Sequence, residues 1–173
     1  MGNDLLARPV LGNGGGTLDF EVLSEGLSGG EWVTQLKKLG YTISERAESL
    51  ISSASFQPVA PAKLKISALK GRAFVDSGRT LFTKVICAEA DELKLVRSRM
   101  EIACLLRKRF SNSELEGMGI WEFVVMHEPV KDSSGTMSVL CVPRTTDGKS
   151  WVDATSCYPG DKWNPGHAFV FEG

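Results

Sequence analysis

The chain has 173 residues, of which 42% are hydrophobic and 24% are charged, and its formal net charge is −1. This length and composition are typical of one globular domain with its own core, and they argue against two full-sized domains. The near-neutral charge argues against a protein built as a whole to coat nucleic acid or an anionic membrane. No run of 18 apolar residues occurs, so we expect no membrane span.

Four cysteines are present, Cys87, Cys104, Cys141 and Cys157, and no two of them form a C-x-x-C pair. A zinc site would need close pairs or interleaved histidines, so we expect no metal and no cofactor. Each cysteine lies in or beside an apolar run, which predicts reduced thiols buried in the core. The N-terminus lacks a basic segment followed by an apolar stretch, so we predict a protein of the reducing cytoplasm without a secretion signal.

Glycines dominate the beginning of the chain. We interpret residues 1–16 as a flexible lead, because glycines cannot help to bury a core and keep a high chain entropy. Residues 17–173 are predicted to form a single domain. Two of its stretches alternate between apolar and polar residues, TLDFEVL at 17–23 and KLKISAL at 63–69. This alternation predicts strands that are exposed on one face.

Two short helices are predicted between those strands. Ser28 and Glu31 have the spacing of a capping box, and Gly40 ends the first helix. Ser44 caps a second helix, ERAESLISS. We interpret residues 31–53 as an αα-hairpin that packs at one end of the sheet.

A long helical region is predicted from about Thr80 to Arg109, with a break near Arg97–Ser98. Ser98 and Glu101 have capping-box spacing, and apolar residues follow at helical intervals. A further short helix follows and ends at a glycine. Its cap is either Ser111 with Glu114 or Ser113 with Glu116.

Four short apolar runs occupy the last third of the chain: WEFVVMHEPV, SVLCV, WVDATSCY and HAFVF. Turn-forming pieces such as DSSG and TDGKS separate them, which is typical of antiparallel strands joined by hairpins. The predicted fold class is therefore α+β, with an antiparallel sheet of four to six strands. We expect the helices of residues 80–117 to pack on one face of that sheet.

Basic and acidic residues are unevenly distributed. Residues 93–109 contain six basic residues and one acid, whereas residues 111–173 contain nine acids and four basic residues. One interpretation is a docking patch for an anionic partner, centred on Arg107, Lys108 and Arg109. The other is a solvated helix face whose charges are balanced by the rim of the sheet. The basic run has no interleaved aromatic residues that could stack bases, so nucleic acid is not the expected partner.

One of the two histidines, His127, lies in the run VVMHEPV. Strand alternation would place it on the same face as Phe123 and Val125, and would place Glu128 on the opposite face. His127 and Glu128 therefore cannot share a metal ion. The histidine is interpreted either as a buried side chain hydrogen-bonded to a neighbour or as a proton-transfer group that titrates near neutral pH.

The C-terminal segment YPGDKWNPGHAFVF contains the other histidine, His167. Its Pro-Gly-Asp sequence, followed by Gly-His and an apolar strand, resembles the NlpC-type and CHAP-type families of cell-wall amidases and peptidases. In those families a histidine that opens a strand activates a cysteine at the N-terminus of a helix. The resemblance implies that His167 is a general base and that a cysteine thiolate attacks an amide. The candidate nucleophiles are Cys104, Cys87 and Cys157, and His127 is the alternative base.

Trp163 lies in the polar turn GDKWNPG, where an aromatic side chain is less easily explained as part of a core. We interpret it either as an exposed anchor for binding or as a lid over one end of the sheet.

Three functions remain open from the sequence. The leading prediction is a non-enzymatic cytoplasmic binding or interaction protein of microbial or phage origin, whose partner is a protein or a small anionic ligand. It would use the Trp163 loop or the basic segment. The first alternative is a small cysteine/histidine hydrolase, and the second is a nucleic-acid-binding protein that uses residues 93–109. The sequence does not indicate an oligomeric state.

Overall fold

One β-sheet organises the chain in the computed structural model, which describes residues 10–11 and 16–173. The strands are β1 (Val10–Leu11), β2 (Thr17–Leu23), β3 (Thr42–Ile43), β4 (Lys63–Lys70), β5 (Glu122–Val125), β6 (Val130–Lys131), β7 (Met137–Pro143), β8 (Trp151–Ser156) and β9 (His167–Glu172). Eight of them lie side by side in the order β1-β2-β4-β9-β5-β7-β8-β3, and β6 pairs with β7. The strands predicted at 17–23 and 63–69 are confirmed as β2 and β4.

The α+β class is confirmed, but the prediction of an antiparallel sheet of four to six strands is wrong. β5 and β9 are parallel, as are β3 and β8, so the sheet is mixed. The N-terminal and C-terminal strands share one sheet because β9 inserts between β4 and β5. Turn signals in a sequence report pairings between consecutive strands, whereas these neighbours are far apart in the chain.

Helices cover both faces of the sheet. They are α1 (Gly29–Lys38), α2 (Glu45–Ile51), α3 (Gly71–Asp76), α4 (Thr83–Glu92), α5 (Glu101–Arg109) and α6 (Asn112–Gly117). α1, α2, α5 and α6 share a core on one side, here named the first face, which includes Trp32, Leu50 and Leu106. α3 and α4 contribute Phe74 and Ile86 to a second core on the opposite side, the second face.

The expectation that all helices of residues 80–117 lie on one face is wrong, because α4 and α5 lie on opposite faces. The segment around β5 shows the reason. Phe123 and Val125 belong to the first core, whereas Val124 and Met126 belong to the second. A strand that is apolar on both sides has to be covered on both sides.

The two N-terminal helices form where they are predicted, but they are not joined by a plain hairpin turn. β3 lies between α1 and α2 and pairs with β8, which ties this part of the chain to the sheet. Gly29 permits close packing of the helices, because a Cβ atom there would lie 1.8 Å from the carbonyl oxygen of Ile51. Three of the predicted helix caps are confirmed: Ser28 with Glu31, Ser44, and Ser111 with Glu114.

The segment between α4 and α5 is not helical, and the capping box predicted for Ser98 and Glu101 is wrong. The Ser98 hydroxyl donates instead to the carbonyl oxygen of Val170, at 2.8 Å. The Glu101 carboxylate accepts hydrogen bonds from the Ser24 hydroxyl and the Glu25 backbone N–H. Ser98 and Glu101 are both buried, so distant partners replace the local cap.

Most of the flexible lead predicted for residues 1–16 lies outside the described residues. Val10 and Leu11 are described, and they form β1, which pairs with β2 at the edge of the sheet. Within residues 16–173, no helix has the length and apolar character needed to cross a membrane.

Candidate functional site

His127 is buried just beyond the end of β5, with 2% of its surface exposed. Its Nδ1 lies 2.7 Å from the carbonyl oxygen of Glu128, and its Nε2 accepts a 2.9 Å hydrogen bond from the backbone N–H of Leu140. These contacts assign the proton to Nδ1 of a neutral ring. Burial lowers the pKa of His127 to about 4, because the charged ring would lose its hydration. Both ring nitrogens of His127 thus have backbone hydrogen-bond partners.

Arg107 is almost completely buried, although the sequence suggests a docking patch at this position. Its guanidinium donates to the carbonyl oxygens of Phe110, Pro143 and Trp151 and to the side-chain oxygen of Asn112. Burial lowers the pKa of Arg107 below its ordinary value. The side chain joins the end of α5 to α6, β7 and β8, which is a structural role.

The neighbouring basic residues also contact the chain's own groups. Lys108 forms an ion pair with Glu25 and donates a hydrogen bond to the side-chain oxygen of Gln35. Arg109 donates a 2.9 Å hydrogen bond to the carbonyl oxygen of Glu21. These intramolecular contacts reduce the positive charge that residues 93–109 can present to a partner.

The four cysteines are distributed over both faces of the sheet. Cys104 belongs to the first core, whereas His167 packs with Trp163 of the second core, so the sheet separates this cysteine from this histidine. Cys141 is buried on the second face and its thiol is hydrogen-bonded to the Glu122 carboxyl group. The other two, Cys87 and Cys157, line a common pocket.

Labelling of the native protein with iodoacetamide is expected to be slow at all four cysteines below about pH 8. Burial raises the pKa of every one of these thiols, to about 11 for Cys157, so the reactive thiolate is scarce at neutral pH. We expect Cys87, which is half-buried, to react first, and Cys104 and Cys141 to react only after unfolding. Timed labelling read by mass spectrometry measures each site. Fast labelling near pH 6 that slows in His167→Ala would contradict this expectation and support the cysteine hydrolase.

A pocket of about 310 Å³ opens on the second face beside α4, and we name it the Arg97 pocket. Its walls combine apolar and charged groups, chiefly from Lys84, Cys87, Asp91, Arg97, Pro129 and Cys157. Apolar surface predominates over polar surface in the lining. The volume and the character of the walls suit a small molecule with an apolar body.

Arg97 brings a positive charge to this pocket. Its Nη1 is buried and has no hydrogen-bond partner among the residues that the structure describes. Its Nε lies 3.6 Å from a carboxylate oxygen of Glu128, whose side chain is 80% exposed. An ion pair with so exposed a partner contributes little to stability. A buried N–H without an acceptor is unfavourable, and an anionic ligand would supply the acceptor.

A second and more polar cavity of about 420 Å³ lies next to His167, and we name it the His167 cleft. It is lined chiefly by Thr155, Asp161, Lys162, Trp163, Asn164 and His167. Glu122 is the register partner of His167 in the parallel pairing of β5 with β9, and its Oε2 lies 3.6 Å from His167 Nε2. Burial raises the pKa of Glu122 and lowers the pKa of His167.

Trp163 is buried, with 8% of its surface exposed, and it connects the two cavities. It lines the His167 cleft, and its Nε1–H donates a 2.8 Å hydrogen bond to the hydroxyl of Thr83, which lines the Arg97 pocket. Its ring packs edge-on against Phe169 at 5.5 Å. The indole is therefore a buried member of the second core.

Sequence patterns do not single out Arg97 or Glu122. Glu122 carries a weak signal, because it is a charged residue at the start of an otherwise apolar strand. Its proximity to His167 depends on a long-range parallel pairing that no local pattern reveals. Arg97 is one of the six basic residues of the segment 93–109, but no local pattern distinguishes it from the other five.

Comparisons with protein-family models, with curated proteins and with solved structures gave no match to this chain. Among the residues that the structure describes, no three His, Cys, Asp or Glu side chains are grouped so that they could hold a metal ion. The two cavities are the features of the described residues whose chemistry suits a ligand.

Proposed function

We propose that the protein is a non-enzymatic binding protein whose Arg97 pocket takes a small molecule with an apolar body and one anionic group. One observation carries this proposal: a pocket with mainly apolar walls is lined by Arg97, whose guanidinium has one buried nitrogen without an acceptor among the described residues. An anion is the natural partner of that nitrogen, because charge-assisted hydrogen bonds are about twice as strong as neutral ones.

Charge on the pocket wall favours the same ligand class. Lys84 and Arg97 contribute two positive charges, and Asp91 contributes one negative charge. The apolar atoms of Cys87, Pro129 and Cys157 would contact the body of the ligand. A molecule such as an aromatic or branched aliphatic carboxylate matches both features, and burial of its apolar surface would supply most of the affinity.

The two alternatives have less support from the contacts described above. A cysteine hydrolase needs a thiol of lowered pKa within reach of an imidazole, whereas burial raises the pKa of all four thiols. A nucleic-acid-binding protein needs accessible cations, whereas Arg107 is buried and Lys108 is paired with Glu25.

Binding of benzoate is expected to require Arg97, and binding of the uncharged analogue benzamide is expected to be much weaker. The Arg97→Gln substitution removes the positive charge, and we expect it to weaken benzoate binding at least about tenfold. Isothermal titration calorimetry, or the shifts of backbone NMR resonances during a titration, measures the affinity. Arg72→Gln is the matched control, because Arg72 is exposed and does not line this pocket.

A second variant tests the location of the site. Ala88 is exposed at the wall of the pocket, so Ala88→Trp should obstruct the pocket and weaken binding without disturbing the core. Equal affinities for benzoate in the parent protein, Arg97→Gln and Ala88→Trp would overturn the proposal. Equal affinities for benzoate and benzamide would overturn the anionic part of it.

A further inference from the structure

The His167 ring has one nitrogen that the fold leaves unused. Its Nδ1 is buried and has no hydrogen-bond partner among the described residues, although the ring lines an open cleft. Most buried polar atoms in proteins are hydrogen-bonded, and for a ring that lines a cleft a bound ligand would supply the missing partner. His127 provides the internal comparison, because both of its ring nitrogens have protein partners.

The position of Glu122 determines which kind of group Nδ1 can meet. The Glu122 Oε2 lies 3.6 Å from Nε2, and a carboxyl group beside this nitrogen favours the proton on Nε2. The thiol of Cys141 donates a hydrogen bond to the same carboxyl group and helps to hold it in place. With the proton on Nε2, Nδ1 has a lone pair and accepts a hydrogen bond.

The other walls of the cleft are suited to hydroxyl groups. Lys162 and Asn164 are exposed and carry N–H donors, and Thr155 is half-buried and carries a hydroxyl. The charge of Lys162 is offset by Asp161, whose carboxylate accepts hydrogen bonds from the Ser156 hydroxyl and the Tyr158 backbone N–H. A cleft with mixed donors and acceptors and little net charge favours a neutral polar ligand over an ion.

We propose that the His167 cleft is a second ligand site, which binds a small polyhydroxylated molecule, a sugar or polyol, with one hydroxyl donating to His167 Nδ1. Glu122 is a positioning residue that holds the ring through Nε2. This site is separate from the Arg97 pocket, so it goes beyond the proposed function, and the two are tested with different probes.

NMR spectroscopy of protein labelled in its histidine rings tests this inference directly, because the chain has two histidines. The free protein should show His167 protonated at Nε2 and His127 protonated at Nδ1. Titration with myo-inositol or methyl α-glucopyranoside should shift the His167 resonances and leave those of His127 in place. Benzoate, the probe for the Arg97 pocket, should not produce this shift.

Glu122→Gln is the informative variant, since it keeps the size of the side chain. The amide can turn its NH₂ group toward Nε2, so we expect a larger share of the Nδ1-protonated ring and about a tenfold loss of polyol affinity. Benzoate affinity should not change, which distinguishes a local effect from unfolding. Asn164→Ala, at an exposed position, should weaken polyol binding without changing the ring tautomer.

Three outcomes would overturn the inference. The first is a free protein in which His167 is protonated at Nδ1. The second is the absence of any shift of the His167 ring with either polyol. The third is a larger shift with acetate than with the polyols, which would make the cleft an anion site.

Several titratable groups lie near the His167 ring and bear on the choice of pH for these spectra. Glu122 approaches the ring from β5, and Cys141 of β7 and Asp153 of β8 interact with Glu122. Asp161 and Lys162, in the loop before β9, line the same cleft. Burial lowers the pKa of His167, so spectra recorded near neutral pH report the neutral ring.

Discussion

Arg107→Ala is expected to lower the free energy of unfolding by about 3–5 kcal/mol. The guanidinium donates to the carbonyl oxygens of Phe110, Pro143 and Trp151, and the substitution leaves these buried acceptors without their donor. It also removes a large side chain whose surface is 1% exposed, so a cavity forms where α5, α6, β7 and β8 meet. Chemical denaturation monitored by tryptophan fluorescence measures the loss.

Two further substitutions separate the hydrogen bonds from other effects. Arg107→Lys keeps a positive charge but not the planar arrangement of five N–H donors, so we expect an intermediate loss of stability. Lys108→Ala removes a partly exposed ion pair with Glu25 and should reduce stability by less than about 1 kcal/mol. If Arg107→Ala were no more damaging than Lys108→Ala, Arg107 would not join these elements as we describe.

The expected loss of stability in Arg107→Ala limits which variants can test the basic segment for binding. A variant in which all three basic residues are replaced would lose binding of any kind if it unfolded. Lys108→Ala alone keeps the contacts of Arg107 intact, and it is the safer test of nucleic-acid binding at residues 93–109. Retention on heparin at two salt concentrations would detect an electrostatic interaction.

Stability is expected to fall by about 3 kcal/mol as the pH decreases from about 6.5 to about 4, because of His127. The pKa of the buried ring is lowered to about 4, whereas the unfolded chain has the ordinary value near 6.5. Between these values the unfolded state binds more protons than the native state. Protonation therefore favours unfolding as the pH falls, and the stabilisation is fully present only above about pH 6.5.

Replacement of His127 isolates its contribution to the pH dependence of stability. His127→Gln removes the titrating group, so its free energy of unfolding should depend less steeply on pH across the same window. Burial also lowers the pKa of His167, so the stability contributed by this residue is likewise lost as the pH falls. Burial raises the pKa of Glu122, so the stability contributed by Glu122 is lost as the pH rises. These groups remain in both proteins, so the difference between the two curves reports His127. Parallel curves would show that His127 titrates normally in the native protein.

Local sequence patterns determined many of the elements. Alternating residues predicted β2 and β4, and the serine caps predicted the starts of α1, α2 and α6. These features depend on neighbours within a few residues, where steric and hydrogen-bonding preferences are strongest. The exception is instructive. Ser98 and Glu101 have the spacing of a cap, but they bond to Val170, Ser24 and Glu25 because both side chains are buried.

Tertiary structure decided the arrangement of the sheet and the cavities. The insertion of β9 beside β5 made the sheet mixed, and it placed Glu122 next to His167. Tertiary packing also buried Trp163, which lies in a polar loop of the sequence, and Arg107, which lies in the basic segment. It also joined α4, Arg97 and Cys157 around one pocket. Such contacts form between residues far apart in the chain, and their free energy depends on the burial of whole faces. A pattern of adjacent residues determines which face is apolar, but it does not determine which distant segment covers that face.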